Sequence, residues 1–148
     1  MENKSELAGE YFKAGYNCAQ SVLAPFGPDN GVSKPNCMMM ASAFGGGYAG
    51  SGHICGAITG ALMVIGLHLG DELDKKPAYR SVAVEISKEF ISKFKDKYGC
   101  EDCKDLLGID VSTPEGHNLL KADPKYRVKC TGIVEEAVKL LEKVLENK

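Results

Sequence analysis

The chain has 148 residues, 44% hydrophobic and 26% charged, the proportions of one globular domain spanning 1–148 with a real core. Eighteen basic and twenty acidic side chains leave a net charge of -2 with no basic block, which speaks against a nucleic-acid-binding surface. The opening "MENKSELAGEYF" is charged and carries no apolar core of a secretory signal and no lipidation motif, so a cytoplasmic protein is expected.

In chain order, Leu7, Ala8, Tyr11, Phe12, Gly15, Cys18, Ala19, Val22 and Leu23 recur at intervals of three and four, predicting one amphipathic helix that ends near Pro25. Gly27 to Gly31 is a turn cluster. A second helix is expected from Ser33 or Asn36, carrying Cys37 to Phe44, and the run "GGGYAGSGH" after it is too glycine-rich to be regular. A third helix, from about His53 to Leu69, is apolar nearly all round. A fourth is marked by Tyr79, Val82, Ala83, Ile86, Phe90, Phe94 and Tyr98 and stopped by Gly99. A short helix over Cys103 to Leu107, a start at "STPEG" and a last helix from Cys130 through Leu145 complete the chain. With no strong strand signal, the predicted fold is all-α, a compact bundle of about five to six helices.

Between Lys34 and Asp71 there is no charged residue, which invites a membrane reading. Nine of those 36 positions are glycine, however, and the strongly apolar part, Ile54 to Leu69, falls short of the roughly 20 residues a bilayer requires. No membrane span is expected. Gly45, Gly47 and Gly50 fit G-x-G-x-x-G, but "CMMMASAF" before them lacks β-branched residues and no βαβ unit follows, so a dinucleotide site is not supported. The remaining reading is a buried helix whose small residues Gly56, Ala57, Gly60 and Ala61 admit close neighbours. Cys55 falls at or near its first turn, where free N–H groups and the helix dipole favour a thiolate.

Six cysteines in a reducing compartment seldom build a disulfide framework; they bind metal, do redox chemistry or are buried as small hydrophobes. Cys18 lies on the apolar face of the first predicted helix, where an inert buried thiol is the plain reading. Cys130 falls in phase with Ile133, Val134 and Ala137, and also at its helix start, where it shares the dipole effect proposed for Cys55. Cys100 and Cys103 have C-x-x-C spacing, half of a metal site at most, whose further ligands would have to be Cys18, Cys55 or Cys130. Cys37 beside three methionines reads as core filler. Of the histidines, His68 reads as packed or capped and His117 as exposed, while His53, two residues before Cys55, is the one placed to activate a thiol or bind a metal. No Ser/His/Asp order or G-x-S-x-G elbow supports hydrolysis.

"YNCAQSVL" around Cys18, "CGAITGALMVIGL" from Cys55, "CKDLLGIDVSTPEG" from Cys103 and the isolated Cys130 before a terminal amphipathic helix resemble the C-GCAxxG-C-C family of redox-active proteins of bacteria and archaea. The resemblance covers almost the whole chain. It implies that Cys18, Cys55, Cys103 and Cys130 are the characteristic cysteines, with Gly56, Ala57 and Gly60 completing the central motif and Cys37 and Cys100 outside the set. Here the glycine follows the thiol, in Ile54-Cys55-Gly56-Ala57, a variant of the family's Gly-Cys-Ala. A related domain occurs in a multihaem cytochrome that also carries an iron–sulfur centre, but without C-x-x-C-H covalent haem is not implied here.

Three functions follow as expectations. In the first, the four cysteines carry reversible thiol–disulfide chemistry with a redox partner: Cys55 attacks or is oxidised and a second cysteine resolves the product, as in a thiol-dependent oxidoreductase. In the second, Cys18, Cys55, Cys103 and Cys130, with Cys100 as an additional ligand, hold an iron–sulfur cluster or zinc. In the third, the thiols are buried in a structural or interaction domain. Four cysteines allow three pairings, and neither the pairing nor the oligomeric state is written in the sequence.

Overall fold

In the computed structural model, which describes residues 3–148, the chain forms eight α-helices and two 3-10 turns, with no strand among the described residues. The helices are α1 (Lys4–Lys13), α2 (Cys18–Leu23), α3 (Lys34–Met40), α4 (Gly56–His68), α5 (Pro77–Tyr98), α6 (Cys103–Leu107), α7 (Pro114–Ala122) and α8 (Pro124–Leu145). The all-helical class is as expected, and the number exceeds five to six. No helix among the described residues is long and apolar enough to cross a membrane.

The first predicted helix is in fact two. Gly15 takes φ 110°, open to glycine and strained for other residues, and breaks the chain after α1. Asn17 then caps α2: its side chain accepts from the Gln20 N–H at 2.8 Å while Gln20 Oε1 accepts from the Asn17 N–H at 2.9 Å. Both pieces bury their apolar faces in the same core, so the hydrophobic period runs through the break. The consequence for function is that Cys18 opens a helix instead of sitting in the middle of one.

α8 also differs from expectation. It starts at Pro124, with Asp123 as its cap, six residues before Cys130. It buries more side chains than any other helix: Ile133, Val134, Ala137, Val138, Leu141, Val144 and Leu145 are among them, and it packs on α1, α2, α4 and α5. In α5 the buried stripe is limited to Ile86, Phe90 and Phe94, whereas Val82 is 47% exposed. Gly99, at φ 78°, ends that helix as expected.

α4 begins at Gly56, with Cys55 as its cap residue, three residues later than expected. Its glycines set the distance to α2. A Cβ on Gly60 would stand 2.8 Å from the Ala19 carbonyl oxygen, so the two helix backbones meet with nothing between them.

Residues 45–52 form a tight left-handed turn. Gly46, Gly47, Tyr48, Ala49, Gly50 and Gly52 all have positive φ, and the Gly52 N–H donates to the Gly46 carbonyl at 2.8 Å. A Cβ at Gly47 would fall 2.5 Å from the backbone nitrogen and oxygen of His53, so that position excludes a side chain altogether. After the turn the chain runs beside the segment before α6, meeting it in an isolated antiparallel bridge between Ile54 and Asp102. The Cys55 N–H donates to the Glu101 carbonyl at 2.9 Å, the Cys103 N–H to the His53 carbonyl at 2.6 Å and the Lys104 N–H to the Gly52 carbonyl at 3.1 Å.

Candidate functional site

These local features converge on one place. Cys18, Cys55, Cys103 and Cys130 line a single cavity of about 20 Å3, closed by Gly46, Gly47, Gly56, Leu106, Leu107 and Ile133. Each cysteine comes from a different element. Cys18 is the first residue of α2, Cys55 the cap of α4, Cys103 the first residue of α6 and Cys130 lies inside α8. The α2–α4 contact brings Cys18 to Cys55, the backbone bridge at Ile54 and Asp102 brings Cys103, and α8 closes the cavity with Cys130. A much larger apolar groove, about 780 Å3, lies at the far end of α4 near Leu69, Tyr79 and Val82 and holds no cysteine. Thirteen helical residues, roughly 20 Å, separate the two ends. The four thiols, not the larger void, make this cavity the candidate site.

All six cysteines are free. Cys55 and Cys130 are only 5% and 9% exposed, while Cys18 and Cys103 are half-buried. The Cys18 thiol neighbours both Cys55 and Cys130. Its proton is shared first with Cys130 and then with Cys55, and with burial this holds Cys18 well above the ordinary thiol range. The same contact acts in reverse on its neighbours. Cys55 is lowered, first by the hydrogen bond from Cys18 and further by the N–H groups of Ala57 and Ile58 at the start of α4, against the opposing effect of burial. Cys130 is lowered by Cys18 as well, with Arg127 and Lys129 adding positive charge. Burial pushes Cys103 up to about 12, helped by the negative charge of Cys55, Cys130 and Asp102. The cavity therefore holds two thiols shifted toward the anion, Cys55 and Cys130, and two shifted toward the protonated form, Cys18 and Cys103.

Cys130 thus reaches its state by a different route from the one its sequence position suggested. It lies two turns into α8, where its own N–H is committed to the helix, so the dipole effect expected at a helix start does not apply. The neighbouring cations and Cys18 act instead.

The remaining cysteines stand apart. Cys37 is fully buried, with its S–H directed at the Val32 carbonyl at 3.7 Å, as core filler. Cys100 does not line the cavity; its sulfur donates to the Tyr98 carbonyl at 3.6 Å, and burial raises it. The C-x-x-C spacing therefore contributes one residue to the site and not two. His53 is exposed and stacks on Tyr48 with ring centroids 5.3 Å apart; its contribution to the site is the backbone carbonyl that holds Cys103. His68 is exposed with its Nε2 3.0 Å from the Lys148 carbonyl, and His117 is exposed as expected.

Several residues that shape the site were not singled out from the sequence. Asn17 positions Cys18 and also donates to the carbonyls of Ala41 and Ser42, both at 3.1 Å, tying α2 to the segment before the glycine turn. The Asn17-x-x-Gln20 pattern was its available signal. Arg127 and Lys129 were legible as cations flanking Cys130. Leu106, Leu107 and Ile133, which wall the cavity, carried no signal beyond hydrophobicity.

For a metal, four thiols are a fitting donor type for zinc or an iron–sulfur cluster. Their arrangement fits less well: among the described residues no group of three or more His, Cys, Asp or Glu side chains is placed to hold a metal ion. The cavity is also of the size of about one water, which takes roughly 10–15 Å3.

A family model described as "Putative redox-active protein (C_GCAxxG_C_C)" matches residues 16–144. An uncharacterized protein of Archaeoglobus fulgidus is 32% identical over 131 residues, covering 84% of this chain and 81% of the relative. No solved structure matches. With residues 16–144 matched, and with Cys18, Cys55, Cys103 and Cys130 inside that span and gathered around one cavity, the chain belongs to the C-GCAxxG-C-C family of redox-active proteins.

Proposed function

We propose that this protein carries out reversible thiol–disulfide chemistry in a reducing compartment, with Cys55 as the thiol that is oxidised and Cys18 as the one that resolves the product. The observation that carries this reading is the meeting of Cys18 and Cys55 in one cavity where the start of α4 lies against α2, with the Cys18 thiol raised and the Cys55 thiol lowered. Oxidation at Cys55 places an electrophilic sulfur next to Cys18, and a Cys18–Cys55 disulfide follows. Cys18 also neighbours Cys130, so exchange of that bond to Cys18–Cys130 needs no further partner. Cys103 completes the lining as a second thiol that burial holds in the protonated form, and serves as a reserve thiol. The protein's electron partner is then a thiol or dithiol acting at Cys18 or Cys103, the less buried residues of the four.

The test is purification without oxygen, followed by iron and zinc analysis, a count of free thiols before and after mild oxidation, and mapping of the disulfide by mass spectrometry. Metal-free protein that loses thiols in pairs and regains them with a reductant supports the reading, provided Cys55→Ser abolishes the reversible loss. Unchanged disulfide formation in that variant removes Cys55 from its role. A stoichiometric metal that disappears in Cys55→Ser or Cys103→Ser replaces the disulfide reading with a metal centre on Cys18, Cys55, Cys103 and Cys130.

A further inference from the structure

Resting on the thiol–disulfide reading above, the geometry points to a small hydroperoxide, of the size of hydrogen peroxide, as the oxidant that reacts at Cys55. Three observations limit the substrate class. Cys55 is 5% exposed, so a bulky disulfide has no line of approach to its sulfur. The cavity onto which it opens has about 20 Å3, enough for one small molecule built from one or two heavy atoms and too little for a peptide or glutathione. The cysteines a larger oxidant would meet first, Cys18 and Cys103, are the half-buried ones, and both keep their protons, so a disulfide at the surface finds only poor nucleophiles.

The step balances within the site. The Cys55 thiolate attacks one oxygen of the peroxide and the O–O bond breaks. The neighbouring Cys18 proton passes to the departing oxygen, which leaves as water, and Cys55 becomes a sulfenic acid. The Cys18 thiolate so formed attacks the Cys55 sulfur; the S–S bond forms, the S–O bond breaks, and the hydroxide takes a proton from solvent to give a second water. Two electrons pass from the thiol pair to the peroxide. An external thiol restores the pair by attacking the sulfur of Cys18, the less buried residue of the two, releasing Cys55, the better leaving group, as thiolate. A second external thiol then frees Cys18 and departs as the oxidised partner.

Rates of thiol loss with hydrogen peroxide and with glutathione disulfide, each in the folded protein and in the urea-unfolded chain, test this. Folding is expected to speed the peroxide reaction by at least about tenfold, equivalent to about 1.4 kcal/mol in the barrier, and to slow the glutathione disulfide reaction. In Cys18→Ser, where the serine hydroxyl keeps the donor but cannot resolve, peroxide treatment quenched into denaturant with dimedone should leave the adduct on Cys55. Faster reaction of the folded protein with glutathione disulfide than with peroxide, while the Cys18–Cys55 bond still forms, overturns the substrate class and leaves the thiol–disulfide reading standing. An adduct on Cys103, Cys100 or Cys130 in place of Cys55 overturns the assignment of the reacting thiol. No reversible thiol loss with either oxidant overturns both readings together. If Cys18→Ser fails to fold, the folded-to-unfolded ratio of the wild-type protein decides alone.

Discussion

Gly56 lies against Cys18 with no room for a side chain between them: a Cβ on Gly56 would stand 3.1 Å from the Cys18 Cβ and 2.9 Å from the Ala19 nitrogen and the Phe44 carbonyl oxygen. Two of these three neighbours are backbone, which cannot rotate away. Gly56→Ala should therefore force α4 away from α2, destabilising the fold by roughly 1–3 kcal/mol despite the better helix propensity of alanine. Denaturant unfolding under reducing conditions measures the loss. The same displacement parts Cys18 from Cys55, so the yield of their disulfide should fall in protein that is still folded.

Asn17 holds the first turn of α2 through reciprocal bonds with Gln20. Asn17→Ala is expected to cost about 0.5–2 kcal/mol, the range for a lost cap. Because Cys18 is the next residue, its alkylation by a small haloacetamide should quicken as the turn frays. A variant that loses stability with no change in Cys18 alkylation would show that the cap supports the helix without positioning the thiol.

The raised Cys103 thiol gives a pH dependence of definite sign. In the unfolded chain it titrates near its ordinary 9.0, in the folded protein near about 12, so between these values the folded state binds more protons. Its contribution to stability is complete below pH 9 and declines as pH rises toward 12. In Cys103→Ala the alkaline decline of the urea midpoint, followed under reductant, should flatten. Tyr98, moved from 10.0 to about 12 by burial and by the charges of Glu136 and Cys55, leaves a residual slope in the same direction.

Cys37 and Cys100 serve as controls. Cys37→Ala removes a fully buried side chain and should cost a stability within the usual roughly 0.5–3 kcal/mol of single substitutions, with disulfide yield unaltered. Cys100→Ser should alter neither the disulfide map nor the rate of thiol loss. A disulfide between Cys100 and Cys103 in oxidised wild-type protein would contradict the separation of Cys100 from the site.

The sequence by itself determined what depends on neighbours along the chain. Apolar spacing of three and four gave the helical class, Gly99 and the Thr113-Pro114 start gave helix ends, and the change from glycine-rich to apolar residues put Cys55 at the opening of α4. All of these report local hydrogen bonding and local φ, which short stretches of residues decide. The same local reading mistook α1 and α2 for one helix, because both halves face one core and the period survives the break at Gly15.

Only the tertiary structure decided which thiols meet and what state each takes. Cys100 and Cys103 are alike by spacing, yet the bridge between Ile54 and Asp102 turns Cys103 to the cavity and leaves Cys100 with the Tyr98 carbonyl. Flanking cations set Cys130 apart from Cys18 in the sequence, but the larger influence on each thiol is the other, and that contact is not written along the chain. The difference arises because the Cys18 thiol donates to two neighbouring thiols, whereas Cys130 accepts from Cys18 and has the charges of Arg127 and Lys129 besides. A pKa is set by the field and the dehydration at one point in space, and most of the groups that supply them here come from helices distant in the chain, brought together when Gly56 and Gly60 let α4 settle onto α2.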